Sequence, residues 1–239
     1  MSNYLRLKKM LYIVAISSVA IVLSVIEPPL ILPWLKLDLS EVVVLIAIAV
    51  VGYKGAFTVV FVRALGRRIL KMMLPIWGED LIQGIIGESI AIIASIMIIG
   101  SYFVISKIIK THRKPLIEEI DVNTPKVTLK EILSVTIGIS FVLSVVLVLF
   151  NFFIGTPLYL SYLGFLFGIS DQVHFTVFGF LNDPGLSQIL SGLNLDFDAS
   201  FKGFFIYNVV SYVPFNIGKA VLTSLVFLAI KPRLYKLEL

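Results

Sequence analysis

The 239-residue sequence contains no cysteine, which excludes disulfides, thiolate metal sites and a cysteine nucleophile. Histidine is almost as scarce. The two present, His112 and His174, fall in loops that the span pattern described below places on opposite sides of a membrane, so they form no shared metal site. Charge is thin as well: 15% of residues are Asp, Glu, Lys or Arg, against about 25% in soluble domains. No G-x-x-x-x-G-K-[ST] stretch occurs, which excludes ATP binding through a P-loop, and neither H-E-x-x-H nor G-x-S-x-G is present. Glu118 and Glu119 sit in a charged loop and read as a solvated acidic patch. These gaps leave no catalytic set and no metal-ligating set, and the chain reads as a protein without enzymatic chemistry, metal or resident cofactor of its own. The inverted repeats common in self-sufficient secondary transporters are not evident either.

What the sequence has in quantity is apolar surface. Hydrophobic residues make up 58% of it and the mean hydropathy is +1.00, which points to an all-α, polytopic membrane bundle. A membrane helix needs about 20 mostly apolar residues. Six candidate spans satisfy or approach this, over about 10–26, 41–52, 55–74, 81–109, 131–153 and 204–230, within one membrane domain covering 1–239. The second is short and is separated from the third only by "GYKG". The first follows a basic N-terminus but shows no small-x-small cleavage site, so it reads as an uncleaved span rather than a removed leader.

Six spans put both termini on one side. Arg6, Lys8 and Lys9, then Lys107, Lys110, Arg113, Lys114, Lys126 and Lys130, then Lys231, Arg233 and Lys236 all fall on that side. The positive-inside rule makes it the cytoplasm, so the chain is expected in the cell membrane with cytoplasmic termini. The net charge of +5 is accounted for by these flanks, without a nucleic-acid partner. "RALGRRILK" is the exception, with Arg63, Arg67, Arg68 and Lys71 late in an outward-running span. Two outer segments are long for connections: 27–41, with three prolines, and 155–203. The second is apolar and aromatic, and is expected to fold onto the membrane surface or over the outer mouth.

Polar residues inside the spans carry the functional signal. Lys219 lies mid-way along the last span, about 18 Å of helix from Lys231. That is too far for its amine to reach the inner boundary, and a lysine there costs about 2.5–3.5 kcal/mol on insertion scales. Asn216, three residues earlier, shares its face. Asn151, at the outer end of span five, meets them if spans five and six are neighbours. Pro214 marks a helix start or a kink. Glu88, in "GIIGE", is a second buried-looking charge, with Lys219, Arg63, Arg67 and Arg68 as alternative partners. Gly84 and Gly87 read as close helix contacts, and Ala20 with Ser24 as a small-xxx-small docking pair.

Four stretches, in order, resemble one family. "VPFNIGKAVLTSLVF" resembles the P-F-N-x-x-K segment in the last helix of riboflavin-specific substrate-binding (S) subunits of energy-coupling factor (ECF) transporters, the RibU type. "EPPLILPWLKLDLSEV" looks like that family's first outer loop, "GIIGE" like the start of its fourth helix, and "LFNFFIGTPLY" like the end of its fifth. The resemblance covers most of the chain outside 158–203.

It implies a six-helix vitamin binder, open to the outside, that works with a transmembrane scaffold subunit and two cytoplasmic ATPase subunits. Riboflavin is then the transported ligand rather than a cofactor. It lies between the first outer loop and helices four to six, with Asn151, Asn216, Lys219, Glu88, Leu37 and Asp38 as binding residues. An asparagine amide offers a donor and an acceptor side by side, matching the imide edge of a flavin. Two features depart from the family: the first helix has only Ile16/Ala20 or Ala20/Ser24 where an A-x-x-x-A scaffold-docking face is usual, and the loop after span five is longer. Folate or pantothenate binding on the same architecture is one alternative. A stand-alone secondary transporter or channel using Lys219 and Glu88 as an ion-coupling pair is another.

Overall fold

The computed structural model describes residues 3–26, 37–73, 81–111 and 127–234. All regular structure among them is helical: α1 (Asn3–Val25), α2 (Ser40–Met73), α3 (Leu81–Ile108), α4 (Leu129–Phe150), a π-helical turn (Asn151–Gly155), α5 (Thr156–Leu166), α6 (Val177–Leu181), α7 (Leu186–Gly192) and α8 (Phe201–Leu234). Five stretches among the described residues are long and apolar enough to cross a membrane: α1, α2, α3, Leu129–Leu166 and α8. His112, Glu118, Glu119 and most of the first outer segment lie outside the described residues.

The second and third expected spans form one helical element, α2, bent at Gly52, where φ is 80° and ψ 175°. That region of backbone space is essentially glycine's alone. The bend is a reversal of direction. Arg63 donates from Nη1 to the Ser40 hydroxyl at 2.7 Å across a separation of 23 residues, whereas a straight helix would hold them about 35 Å apart. The two arms therefore lie antiparallel, with Gly52 at the turn. Small residues let α1 lie close along the second arm: a Cβ on Gly66 would sit 2.3 Å from Ile21 Cδ1, and one on Gly55 would touch Ile13 at 3.7 Å. Ala20 and Ser24 are both fully buried within the chain. The small-residue face assigned to partner docking is thus covered by the protein itself, and the exposed side of α1 presents Leu7, Met10, Leu11, Val14 and Val22 instead.

α4 begins on Thr128, whose side chain accepts the Glu131 N–H, satisfying one of the helix's free donors. It runs antiparallel to α8. Glu131 meets Lys231, Leu143 meets Asn216 and Thr156 meets Asn208 and Tyr212, so rising numbers on one helix pair with falling numbers on the other. Similar pairings put Tyr53, Ser106, Tyr102, Phe227 and Lys231 at one end of the bundle. Ser40, Arg63, Arg67 and Glu88 lie toward the other end. Both α1 and α8 have their terminal ends on the Tyr53 side, so the chain enters and leaves the bundle at the same end. Between them sits one apolar core, built from both arms of α2 together with α1, α3, α4 and α8.

One expectation is corrected: the chain does not leave span five at residue 153 for a long loop. It continues through the π turn into α5, and the segment 155–203 contains α5, α6 and α7. These close over their own core of Phe152, Leu160, Val177, Phe180, Ile189 and Phe204. A polar clasp accompanies it: His174 Nε2 and the Ser170 hydroxyl both contact Asp183 Oδ2, at 2.8 and 2.9 Å. Burial pushes the Asp183 carboxyl up, but the Gly185 N–H, Ser170 and His174 together outweigh it and hold the group below its ordinary value. The last helix, expected over about 204–230, starts at Phe201 and passes through Pro214; of the two readings of Pro214 the helix start is excluded, and its missing N–H removes one backbone hydrogen bond there.

Candidate functional site

A cluster of buried charges lies where the two arms of α2, α3 and α8 converge. Asp38, just before α2, accepts from the Ser40 N–H at 2.8 Å and the Ser40 hydroxyl at 2.5 Å through Oδ1. Its Oδ2 takes Arg67 Nη1 at 3.1 Å and faces Arg63 Nη1 at 3.6 Å. Arg67 also grips Glu88 of α3 in a two-pronged pair, Nε to Oε1 and Nη2 to Oε2, both at 2.5 Å. This is the planar fork that suits guanidinium to carboxylate. Arg63 is fully buried and donates from Nη2 to Ser95 Oγ at 3.0 Å. Lys219 on α8 lies 2.7 Å from Glu41 Oε1 on the first turn of α2. Asp38, Glu41 and Glu88 thereby face Arg63, Arg67 and Lys219, three charges of each sign.

This arrangement accounts for the basic run that stood apart in the sequence. Arg63 and Arg67 are 0% and 2% exposed, so their charge is used within the bundle rather than at a membrane surface. It also selects among the partners left open for Glu88: the carboxylate belongs to Arg67, and Lys219 belongs to Glu41. Gly84 serves the same corner, because a Cβ there would fall 1.6 Å from Arg68 Nη1. A Cβ on Gly87 would meet nothing within 4 Å among the described residues, so no close helix contact is seen there among them.

The amides stand on the facing helices. Asn216 is 1% exposed, and its Nδ2 reaches the Leu143 carbonyl of α4 at 3.5 Å. Asn151 is 2% exposed and donates from Nδ2 to its own helix, at Leu147 O, 2.8 Å. The π turn that follows carries Asn151 Oδ1 over Gly155, where a Cβ would come within 2.5 Å of it. Neither amide oxygen has a hydrogen-bond partner among the described residues, and Asn151 makes no direct bond to Asn216 or Lys219. Asn216 and Lys219 share the buried face of α8 with Tyr212 and Asn208. Asn208 and Tyr212 both bond to the Thr156 hydroxyl, at 3.0 and 2.9 Å. Leu37 is half-buried at the start of the described stretch that leads into α2.

Chemically, the site combines an ammonium donor with free amide acceptors in a low-dielectric setting, where polar groups without partners cost about 1–3 kcal/mol each. Glu41 is the residue that sequence reasoning missed. Its one signal was a carboxylate opening an otherwise apolar run, "SEVVVLIAIAVV", which also reads as an ordinary first-turn acid.

No protein-family model matches the chain, and no curated protein matches it in sequence. A solved structure of the S component of a bacterial ECF transporter is similar, with a TM-score of 0.56 and 20% identity, over 97% of this chain and 97% of that one. At that identity the likeness is one of fold, and it extends over nearly the full length of both chains. The protein shares the S-component fold and is a multi-pass membrane protein.

Proposed function

We propose that this chain is the substrate-binding subunit of an ECF-type, ATP-driven vitamin importer, and that its ligand is riboflavin. In this reading the chain crosses the membrane six times, with α2 supplying two crossings on either side of Gly52 and both termini in the cytoplasm. A transmembrane scaffold subunit and two ATPase subunits supply the energy, in keeping with the missing P-loop. The observation that supports the reading is the buried pair Asn216 and Lys219 on one face of α8, with a buried Asn151 at the end of α4, the helix packed against it, on a fold shared with an S component. The free amide oxygens and the ammonium suit the polar edge of a flat heteroaromatic ring, and the surrounding apolar helices suit its faces.

Purification in mild detergent tests this directly. A yellow preparation with bound-flavin fluorescence is expected, and a colourless protein that ignores added riboflavin refutes the assignment. Asn216→Ala is expected to weaken riboflavin binding by about 1–3 kcal/mol, since it strands buried polar ligand atoms. Unchanged affinity removes Asn216 from the site. The buried Lys219–Glu41 pair also suits a stand-alone ion-coupled transporter, because intramembrane charges mark such pathways. Uptake by this chain in vesicles lacking any ATPase partner would favour that second reading.

A further inference from the structure

Glu41 is fully buried in the first turn of α2, yet neither of its oxygens accepts a hydrogen bond among the described residues. Oε1 forms an ion pair with Lys219 Nζ at 2.7 Å, and the acceptor positions of Oε2 are open. A carboxylate has about four acceptor positions, and buried polar groups are almost always satisfied. Most neighbouring donors are committed elsewhere. Ser40 directs both its N–H and its hydroxyl to Asp38, and Arg63 directs Nη1 to Ser40 and Nη2 to Ser95, with its Nε left without a hydrogen-bond partner among the described residues and no bond from it to Glu41. Lys219 has three N–H donors, and Glu41 is its one ion-pairing or hydrogen-bonding partner among the described residues. A free carboxylate oxygen therefore stands next to an under-used ammonium, with the unpartnered Asn216 amide oxygen on the same face of α8.

An acceptor beside a donor is the complement of a ligand edge on which an N–H adjoins a carbonyl. We propose that Glu41 is a ligand-binding, specificity-determining residue. Its Oε2 accepts the imide N–H of the bound ring while Lys219 donates to the adjoining carbonyl. The Glu41–Lys219 pair then acts as one recognition element contributed by two helices, and it favours ligands carrying that N–H over otherwise identical ligands without it. This rests on the riboflavin reading given above and sharpens it to one atom of the ligand.

The test pairs a change in the protein with a change in the ligand. Binding of riboflavin and of N3-methylriboflavin, which lacks the imide N–H, is measured by flavin fluorescence on the purified full chain in detergent. Hydrogen bonds to charged groups are worth enough that the wild type is expected to prefer riboflavin by about tenfold or more. Glu41→Ala is expected to bind the two within about threefold of each other. Glu41→Gln keeps the shape and one acceptor but loses the charge, and charge-assisted bonds are roughly twice as strong as neutral ones. Its preference is therefore expected to fall at least about threefold. A preference unchanged from wild type in Glu41→Ala overturns the proposal, and so does an unchanged preference in Glu41→Gln where Glu41→Ala does not fold. Equal binding of both flavins by the wild type overturns it too. If the wild type binds neither flavin, the riboflavin reading falls and takes this inference with it, whereas riboflavin binding with an unchanged preference removes Glu41 alone.

Discussion

Removing either member of the Glu41–Lys219 pair should destabilise the protein more than removing both. The two groups are 0% and 7% exposed and lie 2.7 Å apart. At an effective dielectric of about 20, charges at that separation attract by roughly 6 kcal/mol. Desolvating the two ions offsets most of that gain, so the intact pair adds little net stability, but a lone buried charge costs about 3–5 kcal/mol. Glu41→Ala and Lys219→Ala should therefore each lower stability by about 3–5 kcal/mol. The double variant should lose less than either single one beyond the cost of its two small cavities. Thermal denaturation in detergent without ligand, followed by tryptophan fluorescence or by aggregation, reads the order of midpoints: wild type, then double, then the singles. A double variant whose loss equals the sum of the single losses would refute the reasoning, because it would mean the two side chains do not sense each other.

Three further outcomes follow from particular positions. Gly52→Ala places a side chain where φ is 80° and ψ 175°, and should cost about 1–3 kcal/mol in the same denaturation assay, whereas Gly218→Ala, with nothing within 4 Å, should be neutral or mildly stabilising. Gly155→Ala drives a Cβ to within 2.5 Å of Asn151 Oδ1, so it should weaken riboflavin binding by displacing that amide while leaving the melting midpoint close to wild type; unchanged affinity would show that Asn151 Oδ1 is not used. Asp183 is held below its ordinary pKa, so its contribution is present above the unfolded value of 3.8 and is lost as the pH falls through the lower folded value. Amide exchange in 167–186 should quicken on acidification below pH 3.8 in the wild type and lose that acid step in Asp183→Asn.

Much of this architecture was legible before any coordinates. Long apolar runs must be helical in a bilayer, because the backbone can satisfy its own hydrogen bonds there in no other open form. The runs around 10–26, 81–109, 131–153 and 204–230 therefore marked α1, α3, α4 and α8. Periodicity alone placed Asn216 and Lys219 on one face, and the depth of Lys219 in its run announced a buried charge. Less legible was the stretch 155–203. Its aromatic residues report burial but not the surface they bury against, and they turn out to pack on one another and on Phe152, just after α4, and Phe204, in the first turn of α8.

Composition and the spacing of apolar runs are enough to give the class of molecule, the placement of most helices, and the fact that cations stand within apolar segments. The partners of those cations come from the packing of the helices. Glu88, Glu41 and Asp38 are equally plausible counter-charges in a linear reading, because pairing depends on how the helices are stacked, and local chemistry does not encode that. The reversal at Gly52 brings residues 38–41 back beside Arg63 and Arg67, which leaves Glu88 to Arg67 and hands Lys219 to Glu41. Electrostatic energy falls off with distance in space, and only the folded helices bring groups separated by 178 residues of chain to within hydrogen-bonding distance.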